Sequence, residues 1–125
     1  MGVVRKEAAR FGLKVSPDPM PEQVFFIRSD QYSFVRQGIP AVFTGEGFQA
    51  VDPAVDGRKV VEHWIEKYYH SPFDDMKQPL AFKPALKFMR LNFAIGYDVA
   101  NAPRRPRWNT GDFFGDLFTS ARASR

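Results

Sequence analysis

The segment 83–101, KPALKFMRLNFAIGYDVAN, constrains the fold of this chain most strongly. Polar residues recur in it at spacings of three and four, which predicts a helix with a single polar stripe. Pro84 suits the first turn of such a helix, because a proline there gives up no intrahelical hydrogen bond. Apolar side chains fill the rest of the surface, so we expect the helix to be mostly buried with a narrow exposed face. The stripe consists of Lys83, Lys87, Arg90, Asp98 and Asn101.

A helix followed by a buried strand is predicted in the first half of the chain. Ser29 or Asp30 is expected to cap a helix over residues 31–37, in which Phe34 and Val35 face inward, and Gly38 ends it. The run IPAVF (39–43) is apolar on both faces, which is typical of a strand covered by helices on both sides. The order of helix, glycine and buried strand is half of an α/β unit, and it predicts the α/β fold class.

Three further segments complete the secondary-structure prediction. Residues 3–11 contain good helix formers, and Gly12 is a plausible stop. VFFI (24–27) is too short for periodicity to distinguish a strand from a buried turn. Residues 44–81 are predicted to be a long irregular segment with a helical turn or two within 60–69, and such length usually marks function.

Composition and charge exclude several classes of protein. The 44% of apolar residues is enough for a core and argues against disorder. No apolar run is long enough to span a membrane, and the first residues lack the apolar run of a signal peptide, so the compartment is undecided. The absence of cysteine excludes disulfides and thiolate metal sites. Cations gather at both ends around a slightly acidic middle, and without a basic helix or zinc-finger spacing this distribution does not predict a nucleic-acid partner.

The stretch EKYYHSPFDD (66–75) contains the one histidine with a possible chemical role. A neutral imidazole is the commonest protein metal ligand, and Asp74 and Asp75 could orient the His70 ring through its second nitrogen. A single histidine in a loop is more often structural or solvated, and no His-x-x-x-His or Glu-x-x-His pattern accompanies this one. His63 is expected to lie at the surface.

Two separated motifs carry a family resemblance. RSDQYSFVRQGIPAVF (28–43), followed at a distance by YYHSPFDD (68–75), resembles the C-terminal portion of the co-catalytic zinc aminopeptidases, metallopeptidase family twenty-eight. This family includes bacterial leucyl aminopeptidases and glutamate carboxypeptidase II. The resemblance implies a three-layer α/β/α fold with a mixed sheet, in which residues 39–43 form a central strand. It also implies a partial zinc-peptidase domain over 1–103, followed by a basic, aromatic C-terminal extension over 104–125.

The resemblance implies a role for each matching residue. His70 stands where the family places its last zinc ligand, and Tyr69 where some members hydrogen-bond the scissile carbonyl. Ser29, Asp30 and Gln31 stand beside the substrate cleft, and the loop 44–69 would line the substrate pocket. Gln31 departs from the family, which usually has histidine there, so a role that needs a proton charge is in doubt. The implied substrates are peptides cleaved at the N-terminus.

The remaining parts of such a site are not in this sequence. The family holds two zinc ions through a His-x-Asp pair, a Glu-Glu pair and a further Asp, and this chain has neither pair. At most one ligand is present. The chain is therefore expected to correspond to the C-terminal part of such an enzyme, inactive without the N-terminal part of the fold. The alternative is a non-catalytic interaction module on the same scaffold. The resembling subgroup is often secreted or periplasmic.

Overall fold

The computed structural model describes residues 2–50, 52–78 and 82–123, and the chain divides into two compact units. One unit comprises residues 2–44 with 89–123, and the other comprises residues 45–88. The regular elements of the described residues are helical. They are α1 (Gly2–Arg10), a 3₁₀ turn (Pro21–Gln23), α2 (Phe25–Arg28), α3 (Gln31–Val35), α4 (Gly57–Lys67), α5 (Phe82–Ala100) and α6 (Phe113–Ala123).

The first unit is built around the packing of α1 on α5. Ala8 of α1 and Leu91 and Ile95 of α5 are buried together. Leu91 and Ile95 are one helical turn apart and so share a face of α5. Several partly buried apolar side chains surround this small core: Val3, Val4, Phe11, Leu13 and Val15.

The end of α1 is fixed by backbone hydrogen bonds around Gly12. The Leu13 N–H donates to the Ala8 carbonyl at 2.8 Å, and the Gly12 N–H donates to the Ala9 carbonyl at 3.0 Å. This pair of bonds is a Schellman motif, which needs a left-handed residue just past the helix. Gly12 supplies it with a φ of +64°, at no steric cost. The predicted helix and its glycine stop are confirmed.

A charged network lies beside this core. Glu7 is fully buried, and its Oε2 accepts a hydrogen bond from Arg10 at 2.7 Å. Lys6 Nζ donates to Asp98 Oδ2 at 2.6 Å and lies 3.4 Å from Glu7 Oε1. Lys6 belongs to α1 and Asp98 to α5, so their hydrogen bond joins two helices that are far apart in the sequence.

The predicted α/β fold class is wrong for the described residues, which contain no β-strand and no sheet. Among them the single strand-like contact is an isolated antiparallel bridge between Gln49 and Asp56. A strand exists only where a neighbouring strand accepts its ladder of hydrogen bonds. Residues 39–43 have the composition of a buried strand but no such neighbour in the described chain. Their side chains are consequently half exposed, at 46% for Ile39 and 48% for Val42 and Phe43.

The prediction that α5 is mostly buried is also wrong. The helix itself is present, but only its Leu91 and Ile95 are buried. Large apolar side chains on the opposite face are 50% exposed or more, including Leu86, Met89, Phe93 and Tyr97. The apolar pattern of α5 predicts a surface suited to burial, but that surface is buried only where another segment packs against it. No helix among the described residues has both the length and the hydropathy needed to cross a membrane.

Local predictions had mixed outcomes. Residues 24–27 are mostly a short helix rather than a strand, and residues 57–67 form a full helix within the segment predicted to be irregular. Val35 is buried as expected, but Phe34 is 59% exposed. Asp30 occupies the N-cap position of α3 without a side-chain capping bond, and the Ser29 hydroxyl donates instead to the Phe25 carbonyl at 2.7 Å. The predicted cap is therefore wrong.

The Lys6–Asp98 bond predicts a pH dependence of stability. The hydrogen bond from Lys6 is the main reason that the pKa of Asp98 lies below its ordinary value. A carboxyl with a lowered folded pKa stabilises the fold above its unfolded pKa of about 3.9, and that contribution is lost as the pH falls through the folded pKa. Asp98→Asn should therefore reduce the free energy of unfolding at pH 7, and the difference from the parent should shrink below about pH 4.

Urea denaturation at pH 7 and at stepwise lower pH measures this difference. Glu66→Gln is the matched control, because Glu66 is highly exposed and contacts only the adjacent Lys67 among the ion pairs described. A difference between Asp98→Asn and the parent that stays constant down to the lowest pH would contradict the interpretation.

Candidate functional site

The histidine turn follows directly from the end of α4. Asp56 caps the start of this helix, where its Oδ1 accepts from the Lys59 N–H at 3.2 Å. At the other end, the Tyr68 and Tyr69 N–H groups both donate to the Trp64 carbonyl, at 2.9 and 3.1 Å. The last helical turn thereby fixes the backbone of both tyrosines.

His70 ends the helical path with a left-handed backbone. Its φ is +54°, a region that costs a side chain with a Cβ roughly 1–2 kcal/mol. The next residue holds this conformation in place: the Ser71 hydroxyl donates to the Tyr68 carbonyl at 2.7 Å and accepts from the Phe73 N–H at 3.2 Å. The Ser71 N–H also donates to the Tyr68 carbonyl at 3.0 Å. The turn is thus closed by hydrogen bonds on both sides of the histidine.

Two aromatic rings, those of Trp64 and Tyr69, form a stack with the histidine side chain. The Trp64 and Tyr69 ring centroids are 5.1 Å apart, and the Tyr69 and His70 centroids are 3.8 Å apart at an interplanar angle of 20°. This near-parallel stack leaves His70 exposed and holds its ring beside that of Tyr69. The turn therefore presents an imidazole and a phenol side by side, which is a pair able to offer one metal-ligating nitrogen and one hydroxyl donor.

The two aspartates after the histidine do not act on its ring directly. In the described chain no hydrogen bond joins Asp74 or Asp75 to His70, so the expected orientation of the imidazole by a carboxylate is not seen. Asp75 shapes the following turn instead, because its Oδ1 accepts from the Lys77 N–H at 2.8 Å. His63 is exposed, as expected, with its ring edge-on to Tyr68.

Ser29, Asp30 and Gln31 belong to the other unit, where they link α2 to α3. The Ser29 hydroxyl and the Gln31 amide donate to the Phe25 and Phe26 carbonyls, at 2.7 and 2.8 Å. Carbonyls at the end of a helix lack intrahelical partners, so these two side chains satisfy that need. Asp30 is exposed between them. The structure thus brings these three residues together in one unit and Tyr69 with His70 in the other.

The residues present do not form a metal site by themselves. Among residues 2–50, 52–78 and 82–123 there is no cluster of three or more histidine, aspartate or glutamate side chains that could hold a metal ion. His70 is a single imidazole on an exposed turn. A zinc site needs three or four protein ligands, and the described residues do not bring three such side chains together at the histidine turn.

Sequence reasoning missed two residues that build the turn. Trp64 accepts both tyrosine N–H groups through its carbonyl and stacks on Tyr69, and Ser71 bonds to the backbone on both sides of His70. A signal for Ser71 was available, because a serine in a turn can hydrogen-bond the backbone two residues further on. No comparable local signal identifies Trp64, since its role depends on where α4 ends.

Comparison with known protein families places this chain among the metallopeptidases. The family model described as Peptidase family M28 matches residues 1–93, a range that includes Ser29, Gln31, Tyr69 and His70. The chain belongs to this family, whose members are generally zinc-dependent hydrolases. Neither the comparison with curated proteins nor the comparison with solved structures found a match.

Backbone strain at His70 predicts that glycine and alanine variants have opposite orders of stability at His70 and at His63. His70→Gly should give a higher free energy of unfolding than His70→Ala by about 1 kcal/mol, because both lose the ring but only glycine tolerates a positive φ. At His63, inside α4, the order should invert, with alanine more stable than glycine by about 1 kcal/mol.

Urea denaturation of the four variants provides the comparison, and the His63 pair serves as the control for the general effect of glycine. Equal stability of His70→Gly and His70→Ala would show that the left-handed conformation is not present in solution.

Proposed function

We propose that this chain forms the part of a metallo-aminopeptidase that carries His70 as one zinc ligand and Tyr69 as a hydrogen-bond donor to the substrate carbonyl. The other ligands and the general base would come from outside this sequence, because it contains neither a His-x-Asp nor a Glu-Glu pair. The observation that carries the proposal is the ordered pair itself: Tyr69 and His70 are stacked on a closed turn inside the family-matched range.

The backbone at His70 supports a functional role for that residue. A left-handed histidine costs free energy that a glycine would avoid, and such strain concentrates at functional sites. An imidazole held by stacking and projecting into solvent is in a suitable position to meet ligands supplied by another part of a fold.

Tyr69 is placed to contribute through its hydroxyl. Its backbone is fixed by the Trp64 carbonyl and its ring lies between Trp64 and His70. A rigid phenol loses little conformational entropy when its hydroxyl donates to a carbonyl oxygen that gains negative charge during the reaction. Its proposed role is to stabilise that charge. Hydrolysis would require the further zinc ligands and the general base as well.

The missing N-terminal part of the fold is the proposed partner. Half-exposed apolar side chains at Ile39, Val42 and Phe43, together with the exposed face of α5, are surfaces suited to be covered by further protein. The run 39–43 would then find the strand neighbours that the described residues do not supply. The same exposed surfaces also favour the second candidate, a non-catalytic interaction module, in which a different protein covers them.

Joining this chain to the upstream region of a homologous enzyme of the family tests the assignment. In that chimera, His70→Ala should weaken zinc binding and abolish hydrolysis of amino-acid p-nitroanilides. Tyr69→Phe should keep full zinc content and lower kcat by about 10²–10³-fold, as expected for one hydrogen-bond donor used mainly in the transition state. Zinc per chain by elemental analysis and kcat are measured together.

His63→Ala is the control and should change neither quantity. The histidine assignment is wrong if His70→Ala retains zinc and activity while His63→Ala loses them. A chimera that folds, binds no zinc and has no activity would favour the interaction module.

A further inference from the structure

A second aromatic cluster joins the C-terminal helix to α2 and α3 within the first unit. The Phe114 ring lies 5.3 Å from that of Phe26 and 5.8 Å from that of Tyr32, measured between centroids. One turn further along α6, the Phe118 ring lies 6.4 Å from Tyr32 and parallel to Phe114. Aromatic residues of the C-terminal extension thus dock on α2 and α3, the short helices that contain or adjoin Ser29–Gln31.

Trp108 adds a polar contact to this docking. Its indole Nε1–H donates to the Gly38 carbonyl at 3.0 Å, just past the end of α3. Asp112 starts α6 in the correct place, because its Oδ1 accepts from the N–H groups of Phe114 and Gly115, each at 3.1 Å. The tail therefore reaches the α2–α3 segment at two points, one before α6 and one along it.

Gly115 permits the close approach between α6 and Trp108. A Cβ added at position 115 would lie 2.7 Å from the Trp108 Cβ and 2.8 Å from its Cγ, closer than side-chain carbons approach in proteins. The glycine lies inside a helix, where it is unfavourable relative to alanine. Its presence is explained by this contact.

The α2–α3 segment requires such support. α2 has four residues and α3 has five, and helices of this length are not stable without tertiary packing. Among the residues of α2 and α3, only Val35 is buried. Rings from α6 contact a residue in each of the two short helices, Phe26 in α2 and Tyr32 in α3.

We propose that residues 108–118 act as a brace that fixes α2 and α3, with Trp108 and Phe114 as positioning residues for Ser29–Gln31. The brace lies beyond residue 93, where the family match ends. That the braced residues border a substrate cleft rests on the proposed function, whereas the bracing itself does not.

The first experiment compares two glycines in helices. Gly115→Ala should force Trp108 away and raise amide hydrogen exchange in residues 25–36 by on the order of tenfold, although alanine favours a helix. Gly96→Ala in α5 is the control, because an added Cβ there meets nothing within 4 Å. It should leave exchange in residues 25–36 unchanged.

The second experiment uses the two indole N–H signals, which belong to Trp64 and Trp108. Phe114→Ala should accelerate exchange of the Trp108 indole proton on the order of tenfold, because the aromatic contacts of Phe114 that dock α6 are lost. The exchange rate of the Trp64 indole proton should stay unchanged. Phe114→Leu, which keeps apolar volume, should restore part of the protection. Phe113→Ala is the neighbouring control, because Phe113 is 70% exposed and its ring meets that of Phe114 edge-on.

Several results would overturn the brace. Equal effects of Gly115→Ala and Gly96→Ala, or of Phe114→Ala and Phe113→Ala, would do so. A general rise in exchange that includes α4 would show global destabilisation instead, and a Trp108 indole exchanging as in an unfolded chain in the parent would show that the docking is absent. Exchange is read without any peptidase assay, so this proposal and the proposed function can fail separately.

Discussion

The packing of α1 against the middle of α5 is the interaction on which the first unit depends. It buries Ala8, Leu91 and Ile95 and is reinforced at its edge by the bond between Lys6 and Asp98. In the described residues only Met20 and Val35 join these as buried apolar side chains. So small a core leaves much apolar surface in contact with water, including one whole face of α5. The chain has the composition of a well-packed domain, but many large apolar side chains of the described residues are exposed. Such surfaces favour the proposal that further protein covers them.

The sequence predicted local structure where the determinants are local. The helix ending at Gly12 was predicted because the residue just past a helix is often left-handed, and glycine is favoured in that conformation. The long helix α5 was predicted from its periodicity. The strand at 39–43 and the burial of α5 were not correctly predicted. An apolar pattern indicates a preference for burial, but it does not show whether a neighbouring segment is present to provide it. Whether a strand forms depends on a second strand, and residues 39–43 find none in the described chain.

In the candidate site, too, features with local determinants were predicted and features that depend on distant contacts were not. Motifs located Tyr69 and His70, and the structure stacks their rings at 3.8 Å on one turn. The means by which the turn is held, through Trp64 and Ser71, was not predicted, because it depends on the exact end of α4. Ser29 and Gln31 were predicted to border a cleft, a prediction that stays untested, and their side chains bond to the end of α2. The docking site of the aromatic C-terminal extension could not be predicted from the sequence, because its ring contacts join residues far apart in the chain.

Membership of the family and the absence of His-x-Asp and Glu-Glu pairs from the sequence support the central proposal, that this chain contributes a single ligand to a metal site completed by other residues. Zinc bound per chain tests it most directly, measured by elemental analysis after equilibration of the chain alone with buffered free zinc at neutral pH. The account predicts far less than one tightly bound zinc per chain, and the same value for His70→Ala. Two zinc ions per chain that are lost in His70→Ala would contradict it.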